Sequence, residues 1–193
     1  MPLPKKIKKE DIVKAALEII KTENLDDLTA RRLAEALNCS VQPIFYNFAT
    51  MDELKALVLD TIYQIYKNYM DFGAQQPKPY KGMGIAYVRF ARDYPDYFRI
   101  IFMSKTDLTA EDFISKDSVG QTVLKHGMAF TGLDREAQKQ FHLKVWIFTH
   151  GLASLVASGT ARLDDVEVDA LLTNTVREMI AGHKQLTKEL NNA

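Results

Sequence analysis

Residues 28–54 read LTARRLAEALNCSVQPIFYNFATMDEL, and their apolar spacing predicts a helix, a tight turn, a second short helix and the opening of a third, the order of a helix-turn-helix. Thr29 is the N-cap candidate of the first helix, with Leu33, Ala34 and Leu37 facing inward and Leu28 and Leu33 placed to form a hydrophobic staple across the cap. Asn38 and Cys39 break the pattern. Ser40 offers a hydroxyl to cap the second helix, and Pro43 falls in its first turn, where the missing N–H has no intrahelical partner to lose. At about 3.6 residues per turn, Val41, Ile44, Phe45 and Phe48 fall on one side and Gln42, Pro43, Tyr46 and Asn47 on the other. A packed back and a small, polar-aromatic front suit a DNA major groove. Thr50-Met51-Asp52-Glu53 reads as a capping box, opening a third helix whose free N–H groups can face a phosphate.

Upstream, Ile12, Ala15, Ala16, Ile19 and Ile20 form the apolar face of an earlier helix. Taken with Leu28-Thr29, Leu33-Ala34, Leu37, Ser40, Phe48 and Leu54, this pattern resembles a TetR-family transcriptional regulator over the first third of the chain. Six positions depart from the family pattern. Asn24 stands for the usual Gly and Cys39 for Val; Asn tolerates the left-handed conformation that ends a helix, and Cys is a small buried hydrophobe. Ile44-Phe45 replaces Leu-Tyr, Asn47 replaces a common His, and Met51 replaces a phosphate-binding Lys. Phe45 has no hydroxyl for a phosphate, and Tyr46 is the neighbour that does. The resemblance implies a reader motif over residues 29–48 in a DNA-binding domain spanning 1–53, followed by an effector-binding and dimerisation domain over 54–193. It places Thr29 and Arg31 at the DNA. By side-chain chemistry Val41, Gln42 and Pro43 are the base candidates, Gln42 able to bond adenine bidentately and the other two suited to thymine methyls. Ser40, Tyr46, Asn47 and Thr50 are the phosphate candidates.

The chain has 193 residues, with 25 basic and 25 acidic side chains, and this neutrality excludes a purely electrostatic nucleic-acid binder. Charge placement says more than the total. Lys5, Lys6, Lys8 and Lys9 cluster near Pro2 and Pro4 in an arm that either follows a phosphate backbone or enters a minor groove, or is simply a solvated terminus. The single Cys39 excludes an intrachain disulfide and fits a reducing cytoplasm. No apolar signal core opens the sequence, and Val145 to Ala161 is interrupted by Thr149, His150, Gly151, Ser154 and Ser158, so it reads as a buried helix rather than a membrane span.

The helix after Thr50 carries Leu54, Leu57, Val58, Thr61, Ile62, Ile65 and Tyr69 on one face and is expected to end near Gly73, before the linker GAQQPKP. Further helices are expected over Tyr80 to Tyr94, Pro95 to Met103, Ser118 to Phe130, Asp134 to Ser158 and Asp165 to Glu189, with Lys105 to Lys116 a loop at a pocket rim. The fold class is all-α. Trp146 and His150-Gly151, with the Tyr87 to Phe102 pattern, resemble the C-terminal domain of one TetR branch known by a Trp, His-Gly signature (WHG-type). That resemblance implies a small-molecule pocket and a dimer interface. The aromatic residues point to a pocket at Tyr87, Phe90, Phe102, Trp146 and His150 for an apolar or amphipathic ligand; the alternative is that these rings are only core. Gly151, Ser154 and Ser158 permit close helix approach, and Leu172, Val176 and Met179 form a stripe suited to a second copy or to the chain's own core.

His126, His142, His150 and His183 show neither HExxH nor a Cys partner, Gly82-Met83-Gly84 lacks a third glycine and a preceding strand, and no GxSxG or P-loop occurs. No metal, no cofactor and no catalytic group is expected. The sequence reads as a cytoplasmic homodimeric regulator, a repressor released by a small molecule from a near-palindromic double-stranded DNA operator. An activator of the same fold, or a helical ligand-binding or enzymatic domain whose bundle does not read DNA, remains open.

Overall fold

The computed structural model describes residues 7–104, 112 and 117–191, with side chains through 182. Lys5, Lys6 and most of the expected 105–116 loop lie outside the described residues. The helices are α1 (Lys9–Ile19), α2 (Ala30–Leu37), α3 (Gln42–Asn47), α4 (Met51–Ala74), α5 (Pro79–Asp93), α6 (Pro95–Phe102), α7 (Ser118–Thr131), α8 (Arg135–Ala157) and α9 (Asp165–Asn191), with one 3-10 turn at Leu25–Asp27. Two compact units divide within α4. The first ends at Ile65 and takes in Asp96–Ser104; the second holds Tyr66–Pro95 and the described chain from 117 onward. The boundary expected from the sequence lies earlier, at residue 53.

In the first unit, α1, α2 and α3 pack on one another, with Ile12, Ala16, Leu28, Leu33, Ile44 and Phe48 buried. Thr29 caps α2 as its sequence predicts, its hydroxyl accepting from the Arg32 amide at 3.3 Å. The end of α2 is a Schellman arrangement: Asn38 takes φ 51 and the Cys39 amide donates to the Ala34 carbonyl at 2.9 Å. Asn24, expected to suit a left-handed helix end, has φ −76 in an extended conformation; the reversal that needs a positive φ falls at Asn38, where the turn between α2 and α3 is tightest. A second correction concerns Ser40. The N-cap of α3 is Val41, already at φ −69 and ψ −18, so no side chain caps this helix. Capping requires an extended backbone at the capping residue, and the chain has turned helical one residue after the serine.

Thr50 does cap α4: its hydroxyl accepts from the Glu53 amide at 3.1 Å, and the Glu53 carboxylate accepts from the Ala49 amide at 2.8 Å, one residue before the expected partner. Along α4 the buried side chains run Leu54, Val58, Ile62, Tyr66 and Met70, a strict four-residue repeat.

In the second unit α5 packs against α7, α8 and α9, and α7 against α8. Pro95 opens α6, and Tyr94 before it sits at φ −135 and ψ 63, outside helical geometry as the proline demands. Asp117 and Asp134 cap α7 and α8, accepting from Gly120 at 2.7 Å and Ala137 at 2.9 Å. The end of α4 meets the start of α5 at two glycines in near contact: a Cβ on Gly82 would lie 2.3 Å from the Gly73 carbonyl oxygen. Asp165 at the head of α9 accepts from Arg89 and, at 3.0 Å, from Arg92, tying α9 to α5. No described helix is long and apolar enough to cross a membrane.

Candidate functional site

The exposed side of α3 is the first candidate surface. Ile44 and Phe48 are buried, which fixes the helix on its support, while Gln42 and Tyr46 face out and Tyr46 is 78% exposed. The Gln42 amide donates to the Tyr46 hydroxyl at 2.8 Å, one turn along the helix, so the two side chains present a joined polar edge with the Gln42 carbonyl oxygen still available. Periodicity places Val41 and Phe45 on the packed side; in the structure they are instead 42% and 49% exposed. A six-residue helix resting on two residues has no room to bury four. Phe45 is therefore a surface residue beside Tyr46 that sequence reasoning missed, and its apolar ring suits a base methyl or sugar rather than a phosphate.

Asn47, expected at a phosphate, has its amide nitrogen committed to the Pro43 carbonyl at 2.8 Å and to the Ile7 carbonyl at 3.4 Å, linking α3 to the chain before α1. Pro43 lies in the first turn, half-buried, and Ser40 is exposed at the turn. Arg31 projects from α2, its side chain 87% exposed, with a 3.2 Å pair to Glu35. Such an exposed pair contributes little to stability, so the guanidinium is readily given up to a phosphate. Arg32, by contrast, is held by Glu23 and by Glu35 at 3.3 Å. Lys9 sits 3.4 Å from Glu53 and 4.6 Å over the Phe48 ring, and Thr50 is exposed at the α4 start. Among the described residues this gives an exposed, polar-aromatic face bordered by cations and a helix N-terminus, which is the chemistry of a groove reader.

The second candidate is a cavity of about 580 Å³ in the second unit, within the range that holds a small organic ligand. Its walls include Val145 and Thr149 of α8, Leu172, Val176 and Ile180 of α9, and Ala129 and Phe130 of α7. The segment Pro77 to Lys81 closes another side, with Gly84 on α5.

Tyr87, Phe90, Trp146 and His150 are not among its described lining residues, and Phe102 belongs to the first unit. Tyr87 and Phe90 are buried, and Phe102, Trp146 and His150 half-buried. Phe90 is fully buried and packs on Tyr66 and Tyr69 with ring centroids 5.4 and 5.7 Å apart, the Tyr87 hydroxyl meets His150 Nδ1 at 2.9 Å, and Trp146 lies 5.1 Å from the His150 ring. Leu172 and Val176, whose stripe suits either a second copy or the chain's own core, line the cavity, and Leu172 is buried within its own chain. Gly151 and Ser158 are exposed, Ser154 and Met179 half-buried.

Beside the cavity, the Tyr80 hydroxyl and His142 Nδ1 share a hydrogen bond of 2.8 Å. Burial pushes the Tyr80 hydroxyl up and pushes His142 down to about 4 from an ordinary 6.5. A folded-state value below the unfolded one means that the unfolded chain takes up the proton first on acidification. The contribution to stability is thus intact above the unfolded value and declines as pH falls from about 6.5 toward 4. His142→Gln is expected to remove about 2 kcal/mol of the destabilisation seen between pH 7 and pH 5, read as a flatter dependence of the urea midpoint on pH. Identical pH profiles for the two proteins would contradict a neutral buried imidazole.

A family model described as "Tetracyclin repressor-like, C-terminal domain" matches residues 80–179, just over half of the chain. The chain belongs to the TetR family. It is thus a helix-turn-helix DNA-binding transcriptional regulator of a non-enzymatic family. An uncharacterized HTH-type transcriptional regulator of Mycobacterium tuberculosis is similar to it at 23% identity over 188 residues, 95% of this chain and 85% of that protein. Among solved structures, a TetR-like transcriptional regulator from Rhodococcus sp. RHA1 superposes with a TM-score of 0.68 at 12% identity, covering 93% of this chain and 99% of that one. A TetR variant from Acinetobacter baumannii AYE in complex with minocycline gives 0.53 at 17% identity, covering 94% and 98%. At these identities the structural likeness speaks to the TetR fold, with its N-terminal reader and C-terminal helical domain.

Proposed function

We propose that this TetR regulator is a cytoplasmic homodimeric repressor that holds a near-palindromic double-stranded operator through α3 of each copy and leaves it when a small molecule fills the C-terminal cavity. The observation that carries the reading is the joined Gln42–Tyr46 edge, exposed on a helix anchored by buried Ile44 and Phe48. Gln42 is assigned to adenine, Val41, Pro43 and Phe45 to apolar base or sugar contacts, and Arg31, Thr29, Ser40, Tyr46 and Thr50 to phosphates. Lys5 and Lys6 extend this set as backbone contacts of the arm.

Dimerisation is supported by α8, where Ile147 and Leu155 are 58% and 47% exposed on the face that also carries Gly151, with Leu171 of α9 40% exposed. An uncharged helix face left open by its own chain is suited to a second copy. The placement of Trp146 against His150, followed by Gly151, supports the Trp, His-Gly branch of the family. The minocycline complex of the Acinetobacter protein supports a small-molecule effector for this chain as well. As α4 has residues in both units, it is the element through which cavity and reader are coupled.

Arg31→Ala and Gln42→Ala test the reader. With operator DNA recovered by selection from random duplexes, each is expected to weaken specific binding by about 1 to 3 kcal/mol, measured by fluorescence anisotropy at fixed salt. Gln42→Ala should leave random-duplex affinity unchanged, whereas Arg31→Ala should lower both and flatten the salt dependence. Equal losses on operator and random DNA for Gln42→Ala would refute its role in base reading.

A further inference from the structure

The cavity carries a charge pattern that names its ligand class. Most of its wall is apolar, with Phe130, Val145, Leu172, Val176 and Ile180 contributing the larger side chains. The charged residues that line it are Lys78, Lys81 and Arg177, and no Asp or Glu is among its described lining residues. Lys81 is neutralised by Asp169, 2.6 Å away on α9. Lys78 and Arg177 have no carboxylate within ion-pair distance among the described residues, Asp169 acting on Lys78 only at longer range, and both are exposed, so their charge stands at the solvent edge of the cavity. Lys78 also immediately precedes Pro79, the first residue of α5, so the positive end of that helix adds to the same side. An apolar interior whose rim carries Lys78, Lys81 and Arg177 against the single carboxylate of Asp169 is net positive, and so complementary to a molecule with an apolar body and one negative end. A cationic ligand would be repelled by the net positive rim, and a neutral one would gain nothing from it.

We propose that this cavity binds a small amphipathic anion, its hydrocarbon or aromatic body against Phe130, Val145 and Leu172 and its carboxylate or equivalent acid group at the rim formed by Lys78 and Arg177. The inference rests on the reading of the C-terminal domain as the effector-binding domain, and adds to it the charge and shape of the effector. The two cations select the ligand; the apolar wall supplies contact area without distinguishing head groups.

The test uses the full-length protein and three probes with the same ten-carbon chain: decanoate, decan-1-ol and decyltrimethylammonium, each titrated by calorimetry below its aggregation concentration. Decanoate is expected to bind about tenfold more tightly than the alcohol, as a charge-assisted contact warrants, and the ammonium most weakly. In Lys78→Gln/Arg177→Gln, both changes being at exposed side chains, decanoate should fall to the affinity of the alcohol while the alcohol is unchanged. Ala129→Trp, which fills the cavity, should abolish binding of decanoate and alcohol alike, with circular dichroism confirming the fold. Equal wild-type affinities for decanoate and alcohol, or a preference for decanoate that survives the double substitution, would overturn the anionic assignment; if Ala129→Trp still blocked the alcohol, the effector-domain reading would stand. Binding of none of the three, or binding indifferent to Ala129→Trp, would overturn the cavity as the ligand site altogether.

Discussion

Gly151→Glu is expected to leave a folded monomer and to lower operator affinity at least a hundredfold. A Cβ on Gly151 would meet nothing within 4 Å in its own chain, so the isolated fold accepts the larger residue. Exchanging a mid-helix glycine for glutamate even favours the helix by about 0.5 to 1 kcal/mol. In the proposed dimer the same position lies beside exposed Ile147 and Leu155, and the two-fold axis brings two new carboxylates into one apolar contact. Each unpaired buried charge costs about 3 kcal/mol or more, which exceeds what one modest apolar stripe returns. Without the dimer, each copy grips a single half-site and loses the joint contact with a palindrome. Sedimentation and anisotropy on the same sample would establish this. A variant that stays dimeric at micromolar concentration would place the interface elsewhere.

Gly82→Ala is expected to destabilise the protein by about 3 kcal/mol, near the upper end for one inserted methyl group. The new carbon would sit 2.3 Å from the Gly73 carbonyl oxygen and 2.9 Å from Gln76 Cβ; the side chain can swing aside, but the backbone carbonyl is part of α4. Relief therefore requires the helix ends to separate, which opens the packing of α4 on α5. Gly182→Ala is the control. A Cβ there meets nothing within 4 Å, and the exchange is expected to be neutral or to stabilise by up to about 1 kcal/mol. The shift in urea midpoint at constant slope measures both. Equal midpoints for wild type and Gly82→Ala would mean that the two helices do not meet at these glycines. Because Lys78 to Lys81 lies between Gly73 and the rest of α5, loosening this contact should also weaken the ligand response, whereas Gly182→Ala should not affect it.

The sequence by itself determined whatever is settled within a few residues. Thr29, Thr50 and Glu53 cap their helices through bonds that span three or four positions, so the signal and its partner fall in the same short window; Asp117 and Asp134, caps not anticipated from the sequence, act over the same short span. Pro95 forces the corner at Tyr94 by local sterics alone. The helix-turn-helix order is legible for the same reason, with Leu54, Val58 and Ile62 of the α4 stripe, though not its continuation to Tyr66 and Met70, and with them the all-helical TetR fold and its DNA-reading half.

What only the tertiary structure decided are choices between residues of equal local merit. Asn24 and Asn38 can both adopt a left-handed backbone, and the sharp turn into α3 selects Asn38. Phe45 and Ile44 are neighbours of similar hydrophobicity; α3 rests on Ile44 and leaves Phe45 at the surface. Leu171 and Leu172 differ in the same way, one 40% exposed and the other buried on the cavity wall. The cavity itself has no sequence signature, because Lys78 precedes α5 and Arg177 lies on α9, and only the packing of α5, α7, α8 and α9 brings their segments around one space. Periodicity reports that a face is apolar; which neighbour covers it is a property of helices distant in sequence, and is settled only when they pack.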